Sequence, residues 1–271
     1  MFYKNFKPFF FIYALLILVS CEEVIILDLN STEPQLVIEA NLNVTDHLCK
    51  VSISQSDGFY SDNSFDKISG ASISLQNSSG NNYILDDLGG GQYMASDIMA
   101  TSGDTFSIHF DIPDYQSFSA SALVPSAVHL DSLIIEEDTG GIRPNGGNSD
   151  GDYNLTVEWK DIEGEDNFYR IKVFRNDIFQ SDVYVLSDDL LGDGAKLARP
   201  VIGERYALGD ELRVQLLSVN KGYYKYFSDI ANGEGRGLSA PVPFNPQGNI
   251  EQNILGYFGI LEISEKTIIV E

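Results

Sequence analysis

Apolar and polar residues alternate in short runs between residues 35 and 123 of the chain. The period is two, as in a strand with one buried face. Such runs lie at 36–40, 51–53, 71–75, 83–85, 93–95, 105–110 and 118–123. Glycine- and asparagine-rich segments at 77–80 and 89–91 separate them, and these residues tolerate the positive φ of tight turns. The pattern predicts an antiparallel β-sandwich over residues 35–126, of the immunoglobulin or transthyretin kind.

The second part of the chain repeats this texture. Strand-like runs occupy 128–136, 155–159, 168–174 and 211–220. Trp159 ends one of these runs and Tyr169 lies early in the next, which resembles the core of fibronectin type III domains. The sequence therefore predicts an all-β protein with a second, fibronectin-like sandwich over residues 127–271.

One segment departs from the strand pattern. Between Tyr223 and Ile230 the apolar residues follow the i, i+3, i+4, i+7 spacing of a helix face. The first interpretation is a short helix near residues 222–232 that packs across the sandwich. The second is a sugar-stacking platform formed by Tyr223, Tyr224 and Tyr226.

The first twenty residues have the layout of a bacterial secretory signal. Lys4 and Lys7 precede a nearly uncharged apolar run over 8–19, shorter than the ~20 residues that span a membrane as a helix. The run ends in Leu-Val-Ser before Cys21, the cleavage pattern of lipoprotein signal peptidase. We expect a signal peptide over 1–20, lipidation of Cys21, and an acidic tether over 21–34.

The excess of acidic residues limits the classes of partner that the protein is expected to bind. The chain carries 17 Lys and Arg against 40 Asp and Glu, a formal net charge of −23. Because this charge repels phosphate backbones and anionic headgroups, we expect no nucleic-acid partner. Contact with the membrane is expected through the lipid anchor.

Known catalytic motifs are missing from the sequence. It has no G-x-S-x-G, H-E-x-x-H, P-loop or C-x-x-C pattern. The only other cysteine, Cys49, shares strand parity with Val51 and Ile53, so we expect it in the core and no disulfide framework. The sequence favours a protein that is not an enzyme, although 40 carboxylates leave a glycosidase-type pair open.

Calcium is the metal that the acidic loops would suit, because it takes several oxygen ligands. The candidate ligands are Asp150, Asp152, Asp188, Asp189 and Asp193, and a further acidic loop covers 57–66. None of these loops has the twelve-residue EF-hand spacing. The sequence favours solvated turns for these loops, with calcium sites as the alternative interpretation, and no other cofactor is expected.

Several segments together resemble a family of Bacteroidota lipoproteins known as domain of unknown function 4249. The similar segments are Cys21-Glu22-Glu23, 35–40, 68–73, 91–93, 212–220, 223–226, 239–243, 249–250 and 255–259. The chain departs from the family pattern at Leu238 and Ile254, which are packing positions. The resemblance implies an outer-membrane lipoprotein, often associated with TonB-dependent transporters, and it supplies no catalytic residues.

These observations give a leading expectation and alternatives. The leading one is a non-enzymatic lipoprotein anchored in the outer membrane, accessory to a TonB-dependent transporter or another envelope complex. The alternatives are a surface glycan- or peptide-binding lipoprotein, a hydrolase with a carboxylate site, and a structural or adhesive protein. The acidic pair after Cys21 is similar to surface-export signals, which favours the cell surface over the periplasmic side.

Overall fold

A computed structural model describes residues 34–56, 65–138, 153–180, 185–190, 192–202, 204–233 and 244–271. The predicted signal peptide, Cys21, nearly all of the tether, Asp150 and Asp152 lie outside these ranges. All of the described residues belong to the unit formed by 34–57 and 63–271.

Strands dominate the described residues. They are β1 (Leu36–Asn43), β2 (Leu48–Gln55), β3 (Asp66–Lys67), β4 (Ser72–Asn77), β5 (Asn82–Gly89), β6 (Gln92–Ala95), β7 (Thr105–Asp111), β8 (Phe118–Leu123), β9 (Leu130–Glu137), β10 (Tyr153–Lys160), β11 (Phe168–Arg175), β12 (Ile178–Phe179), β13 (Val185–Asp188), β14 (Lys196–Pro200), β15 (Glu211–Val219) and β16 (Leu255–Ile269). One α-helix, α1 (Lys221–Gly233), and a 3₁₀ turn, Glu251–Asn253, complete the described elements. The predicted all-β, sandwich-like fold class is confirmed.

The strands form two sheets in the described part of the chain. The larger sheet has 13 strands and runs β12-β11-β15-β16-β1-β2-β6-β5-β4-β7-β8, with β13 paired to β11 and β3 to β2. The smaller sheet is β14-β10-β9. Strand β5 pairs with β4 through Asn82–Leu85 and with β6 through Asp86–Gly89, so the larger sheet turns from one layer into the next along this strand.

Two apolar cores follow the predicted alternation. The first is built from β1, β2, β4 to β8 and neighbouring residues, with Ile38, Phe106 and Phe110 fully buried. The second lies between the smaller sheet and strands β11 and β15, and here Trp159 meets Tyr169 edge to face with ring centroids 5.2 Å apart. The break between the two cores falls at 124–128 along most of the chain, but residues 250–260 contribute to the first core. The domain boundary at 126/127 stays a prediction.

Strand β16 connects the two cores. Phe258 and Ile260 belong to the first core, while Ile268 and Val270 pack in the second. Its pairing with β1 is parallel, whereas the described strands within residues 35–126 pair with one another antiparallel, as predicted. The physical reason is that β16 arrives from the far end of the chain and fills the gap between β1 and β15, where its direction is set by the antiparallel partner β15.

Cys49 lies in β2 and is fully buried, as its strand parity predicts. Burial raises the pKa of its thiol to about 12. Because the thiolate is the reactive form, we expect Cys49 in the folded chain to react with an aromatic disulfide reagent at pH 8 about 10³-fold more slowly than an ordinary thiol. Absorbance kinetics with and without guanidinium measure this ratio; labelling at the rate of a free thiol under native conditions would contradict the burial.

Candidate functional site

Five neighbouring strands of the larger sheet share a face that points away from both main cores. The strand register aligns Arg170 of β11 with Leu217 of β15, and Leu217 with Ile263 of β16. Leu261, the next residue on that face of β16, pairs with Asn43 of β1, and Asn43 pairs with Leu48 of β2. Since alternate residues of a strand point to opposite faces, this outer face is separate from the core side of the same strands.

Helix α1 covers one end of this outer face. Its amphipathic spacing buries Tyr223, which is 1% exposed and packs edge to face on Tyr257 at a centroid distance of 5.2 Å. A third apolar cluster therefore forms between helix and sheet, and it includes Leu217 and Leu261. Gly259 makes the close approach possible, because a Cβ there would lie 2.5 Å from the ring of Tyr223. The predicted helix is confirmed, and its aromatic stripe is its packing face.

Beside the helix the same face opens into a groove of about 320 Å³, which we call the helix-side groove. Its aromatic wall consists of Phe179, Tyr223, Phe227 and Tyr257. Burial raises the pKa of the Tyr257 hydroxyl, so it stays protonated, and it accepts a hydrogen bond from the Asn41 amide at 3.2 Å. The groove is thus an apolar, aromatic surface with polar groups along its sheet side.

Three basic side chains, Lys50, Arg170 and Lys172, also line the helix-side groove, together with one carboxylate, Asp46, which accepts a hydrogen bond from the Asn43 amide at 2.7 Å. The Arg170 guanidinium donates a hydrogen bond to the Tyr223 hydroxyl at 2.8 Å and lies 3.8 Å from the centre of the Phe227 ring. This cation–π stacking fixes the guanidinium against the helix. Because the chain as a whole is strongly acidic, a cluster of basic groups on an aromatic wall is the distinctive electrostatic feature of this face.

Lys172 is the basic residue of the groove whose pKa is shifted by its surroundings. The pKa of Lys172 is lowered to about 8. Burial is the larger cause, and repulsion from the Arg170 guanidinium is the smaller one. Among the described residues, no Asp or Glu forms an ion pair with its ammonium. A bound carboxylate would supply the counter-charge that this ammonium lacks.

A larger cleft of about 500 Å³ lies between residues 123–126 and the loop before β11. A hydrogen bond from Ser126 to Glu165, 2.6 Å long, links residues of its two sides, and no Lys or Arg is among its lining residues. It lacks the combination of basic and aromatic groups that marks the helix-side groove. We therefore take the groove as the candidate binding site.

The tyrosines that the sequence puts forward for binding have different positions. Tyr223 is almost completely buried in the helix–sheet contact, and only its edge contributes to the wall of the groove. Tyr224 is partly buried; it packs on Phe168 at 5.0 Å and donates a hydrogen bond to Asp188 at 3.2 Å. Tyr226 packs on Tyr257 at 4.9 Å. The three rings do not form one flat platform, and their role in binding stays a prediction.

The acidic candidates are also separated by the fold. Asp188 is engaged with Tyr224, whereas Asp189 and Asp193 come together with Asp161, one carboxylate oxygen of each lying within 4.8 Å of the others. The sequence reasoning did not include Asp161. The signal that could have found it is its position directly after β10, at the same end of the sandwich as the loop that follows β13.

The basic residues of the groove were missed at the sequence level as well. Arg170 and Lys172 lie in residues 168–174, which the alternation predicts to be a strand. Their i, i+2 spacing places them on one face of it. What the spacing does not show is that this face meets helix α1 rather than open solvent.

The fold and this site define an all-β, sandwich-like protein with one helix laid across the outer face of its larger sheet. Within the described ranges, no helix is long and apolar enough to cross a membrane. The chain belongs to the family described as domain of unknown function (DUF4249), whose model matches residues 22–267. No curated protein matches the chain.

Proposed function

We propose that this protein is a non-enzymatic lipoprotein, anchored in the outer membrane through Cys21, that serves as an accessory subunit of a TonB-dependent transporter or another envelope complex. In this proposal the helix-side groove binds a carboxylate-bearing segment of the partner. The groove is the observation that carries the proposal, because it joins an aromatic wall to Lys50, Arg170 and Lys172 in a chain of net charge −23.

The chemistry of the groove suits an anionic group that is attached to an apolar one. A carboxylate near Lys172 would gain an ion pair in a partly desolvated setting, where such pairs are worth more than on an open surface. The aromatic wall adds buried apolar area and ring contacts, which are the usual anchors of protein interfaces. A peptide segment with an aromatic or aliphatic residue beside an acidic one meets both requirements.

The anchor of the proposal comes from the sequence. The lipobox ends at Cys21 and the first described strand begins at Leu36. Fifteen residues span at most about 50 Å, so the folded part stays close to the bilayer that holds the lipid. This short connection keeps the folded part within reach of a membrane-embedded partner, and the cell surface is the side we propose.

Co-purification tests the accessory role. We expect the full-length chain, carrying a C-terminal tag and solubilised from outer membranes in detergent, to recover a β-barrel transporter in stoichiometric amount. Substituting Lys50→Glu together with Lys172→Glu should lower that recovery at least about tenfold, because two attractive charges become repulsive. Quantitative mass spectrometry of the eluates gives the ratio.

The matched control is Lys67→Glu together with Lys160→Glu, which makes the same change of net charge at exposed lysines away from the groove. It should leave recovery unchanged. Equal loss of transporter recovery in both double variants would indicate a general charge effect and remove the groove from the proposal.

Raising the pH from 7 to 9 should also weaken the complex, because Lys172, whose pKa is about 8, loses its proton over that interval.

Recovery of the lipoprotein alone would overturn the accessory role. The surface glycan- or peptide-binding alternative would then become the leading proposal, with the partly buried rings of Tyr224 and Tyr226 on helix α1 as its candidate contacts. Calorimetry of the full chain against envelope glycans and acidic peptides distinguishes these two ligand classes.

A further inference from the structure

The cleft between residues 123–126 and the loop before β11 is separate from the helix-side groove, and the two share no lining residue. Its volume of about 500 Å³ lies within the range of about 300–1,000 Å³ that small-molecule sites have. Apolar residues of strands β8, β11 and β15 line its walls: Leu123, Phe168, Tyr169 and Val219. A ligand that fills this cleft therefore needs an apolar body.

Ser218 lines the cleft with a buried hydroxyl that has no partner. The residue is 2% exposed, and among the described residues nothing forms a hydrogen bond with its Oγ. Ser218 pairs with Tyr169 across the β15–β11 ladder, so the two side chains lie on the same face of the larger sheet. Both residues line the cleft, which places this hydroxyl at its buried, sheet side. Because a buried hydroxyl without a partner is destabilising, Ser218 indicates a ligand that forms a hydrogen bond with it.

The two serine hydroxyls on the open side of the cleft have already committed their protons. Ser126 donates to Glu165 at 2.6 Å, so in its 2.8 Å contact with Ser102 the proton comes from Ser102. A serine hydroxyl has one proton and two acceptor lone pairs. Ser102 and Glu165 therefore offer only acceptors to the cleft, and the exposed carboxylate of Asp166 offers further ones. The ligand has to supply the donors.

The charges around the cleft favour a cation. Within the described part of the chain, no Lys, Arg or His lines it, whereas the carboxylates of Glu165 and Asp166 do. Lys221 lies outside the lining residues, with its ammonium 5.8 Å from the centre of the Phe168 ring. The net charge on the lining residues is therefore negative, opposite to the basic lining of the helix-side groove.

We propose that this cleft binds a small organic ammonium ion, a primary ammonium group attached to an apolar body. The ammonium donates a hydrogen bond to the Ser218 hydroxyl oxygen, and Glu165 and Asp166 supply the counter-charge. An ammonium has three donors and no acceptor, which complements a cleft whose open side offers only acceptors. A neutral apolar molecule would leave the Ser218 hydroxyl unpaired, and an anion would face two carboxylates. This site does not depend on the proposed function.

Isothermal titration calorimetry of the full chain in detergent, in an amine-free buffer, tests the site. The probe is phenethylammonium, which joins a primary ammonium to an aromatic body. We expect a Kd of about 1 mM or tighter, as for a ligand with few non-hydrogen atoms. Phenethyl alcohol has the same apolar body without the charge, so it should bind at least about tenfold more weakly.

Three results with these probes would contradict the proposal. The first is the absence of heat with phenethylammonium at roughly ten times the expected Kd. The second is equal affinity for the ammonium and the alcohol, which would leave the charge without a role. The third is tighter binding of Nα-acetyl-lysine methylamide than of phenethylammonium, which would assign the cleft to a lysine side chain of a peptide.

Two variants and a matched control locate the ligand. Ser218→Ala should weaken phenethylammonium binding at least about tenfold, because a hydrogen bond from a charged group is lost. Glu165→Gln keeps an acceptor for Ser126 but loses the charge, and it should weaken binding about threefold because this carboxylate is exposed. Glu163→Gln makes the same charge change at an exposed residue of the same loop that does not line the cleft, so its Kd should stay at the wild-type value. Wild-type affinity in Ser218→Ala, or equal losses in the two glutamate variants, overturns the proposal.

The thermal stability of Ser218→Ala without a ligand tests the hydroxyl by itself. Since an unpaired buried hydroxyl is destabilising, its removal should leave the Tm unchanged or raise it. Phenethylammonium should raise the Tm of the wild-type chain more than that of the variant. A Tm that falls on substitution would mean that the hydroxyl is already bonded in the unliganded chain, which overturns its assignment to a ligand.

Discussion

Replacing Gly256 with alanine should prevent stable folding of this protein. Gly256 lies at the start of β16 with φ of +109°, and an added Cβ would lie 1.9 Å from the carbonyl oxygen of Ile38 in β1. The obstacle is backbone on a paired strand, so no side chain can turn away to make room. We expect a loss of more than about 4 kcal/mol, a large part of the roughly 5–15 kcal/mol that holds a typical domain together.

The reason for so large an effect is the position of the clash. Gly256 pairs with Ile38 in the parallel β1–β16 ladder, and this ladder joins strands of the first core to strands of the second. Pushing the strands apart there also displaces Phe258 and Ile260 from the first core. Circular dichroism of thermal unfolding measures the change.

Gly209→Ala is the matched control. Gly209 also has a positive φ, of +88°, but a Cβ added at this position would have nothing within 4 Å. This variant therefore carries only the backbone strain of a left-handed residue, about 1–2 kcal/mol. Equal destabilisation by the two substitutions would contradict the steric argument at Gly256.

Cys21→Ala should abolish attachment to the outer membrane. In the proposed function Cys21 carries several acyl chains that lie in the bilayer. Each buried CH₂ contributes about 0.8 kcal/mol, whereas a single acyl chain gives only reversible binding. Without the thiol, the chain cannot acquire the thioether-linked lipid. We expect the variant to lose label from radioactive palmitate and to disappear from the outer-membrane fraction in a density gradient.

Cys49→Ala serves as the control for that experiment. Cys49 is the other cysteine of the chain and is fully buried in β2, so it is not a lipidation site. This variant should keep both the lipid label and the membrane fractionation, with a modest loss of stability from the small cavity. Persistence of Cys21→Ala in the outer membrane with its label intact would remove the anchor from the proposed function.

The strand alternation predicts most of the first core correctly. The runs around Ile38, Ile53, Ile73 and Phe110 all become strands with those residues buried, since one face of each strand meets solvent or polar groups. The alternation does not predict strand β16, because its residues 256–261 are buried on both faces. They pack against a core on one side and against helix α1 on the other. A strand that is covered on both faces has no alternation to detect.

The candidate sites, too, are predicted from the sequence only in part. Asp189 and Asp193 are visible in the sequence as an acidic loop, but Asp161, which the fold brings next to them, comes from a loop more than twenty residues away. Arg170 and Lys172 look like ordinary outward residues of a strand until the helix is placed beside them. The topology of the sheets decides which residues from separate loops and strands lie close together. A pattern within a short stretch of sequence does not show these contacts.

By itself the sequence determined the class of the fold, the position of the helix, the burial of Cys49 and the family, because each depends on residue periodicity or on motifs within a short stretch. Only the tertiary structure decided the parallel insertion of β16, the helix-side groove and the meeting of Asp161 with Asp189 and Asp193. These features join residues that are distant along the chain. Their contacts arise from how the sheets pack and pair, which local alternation does not encode.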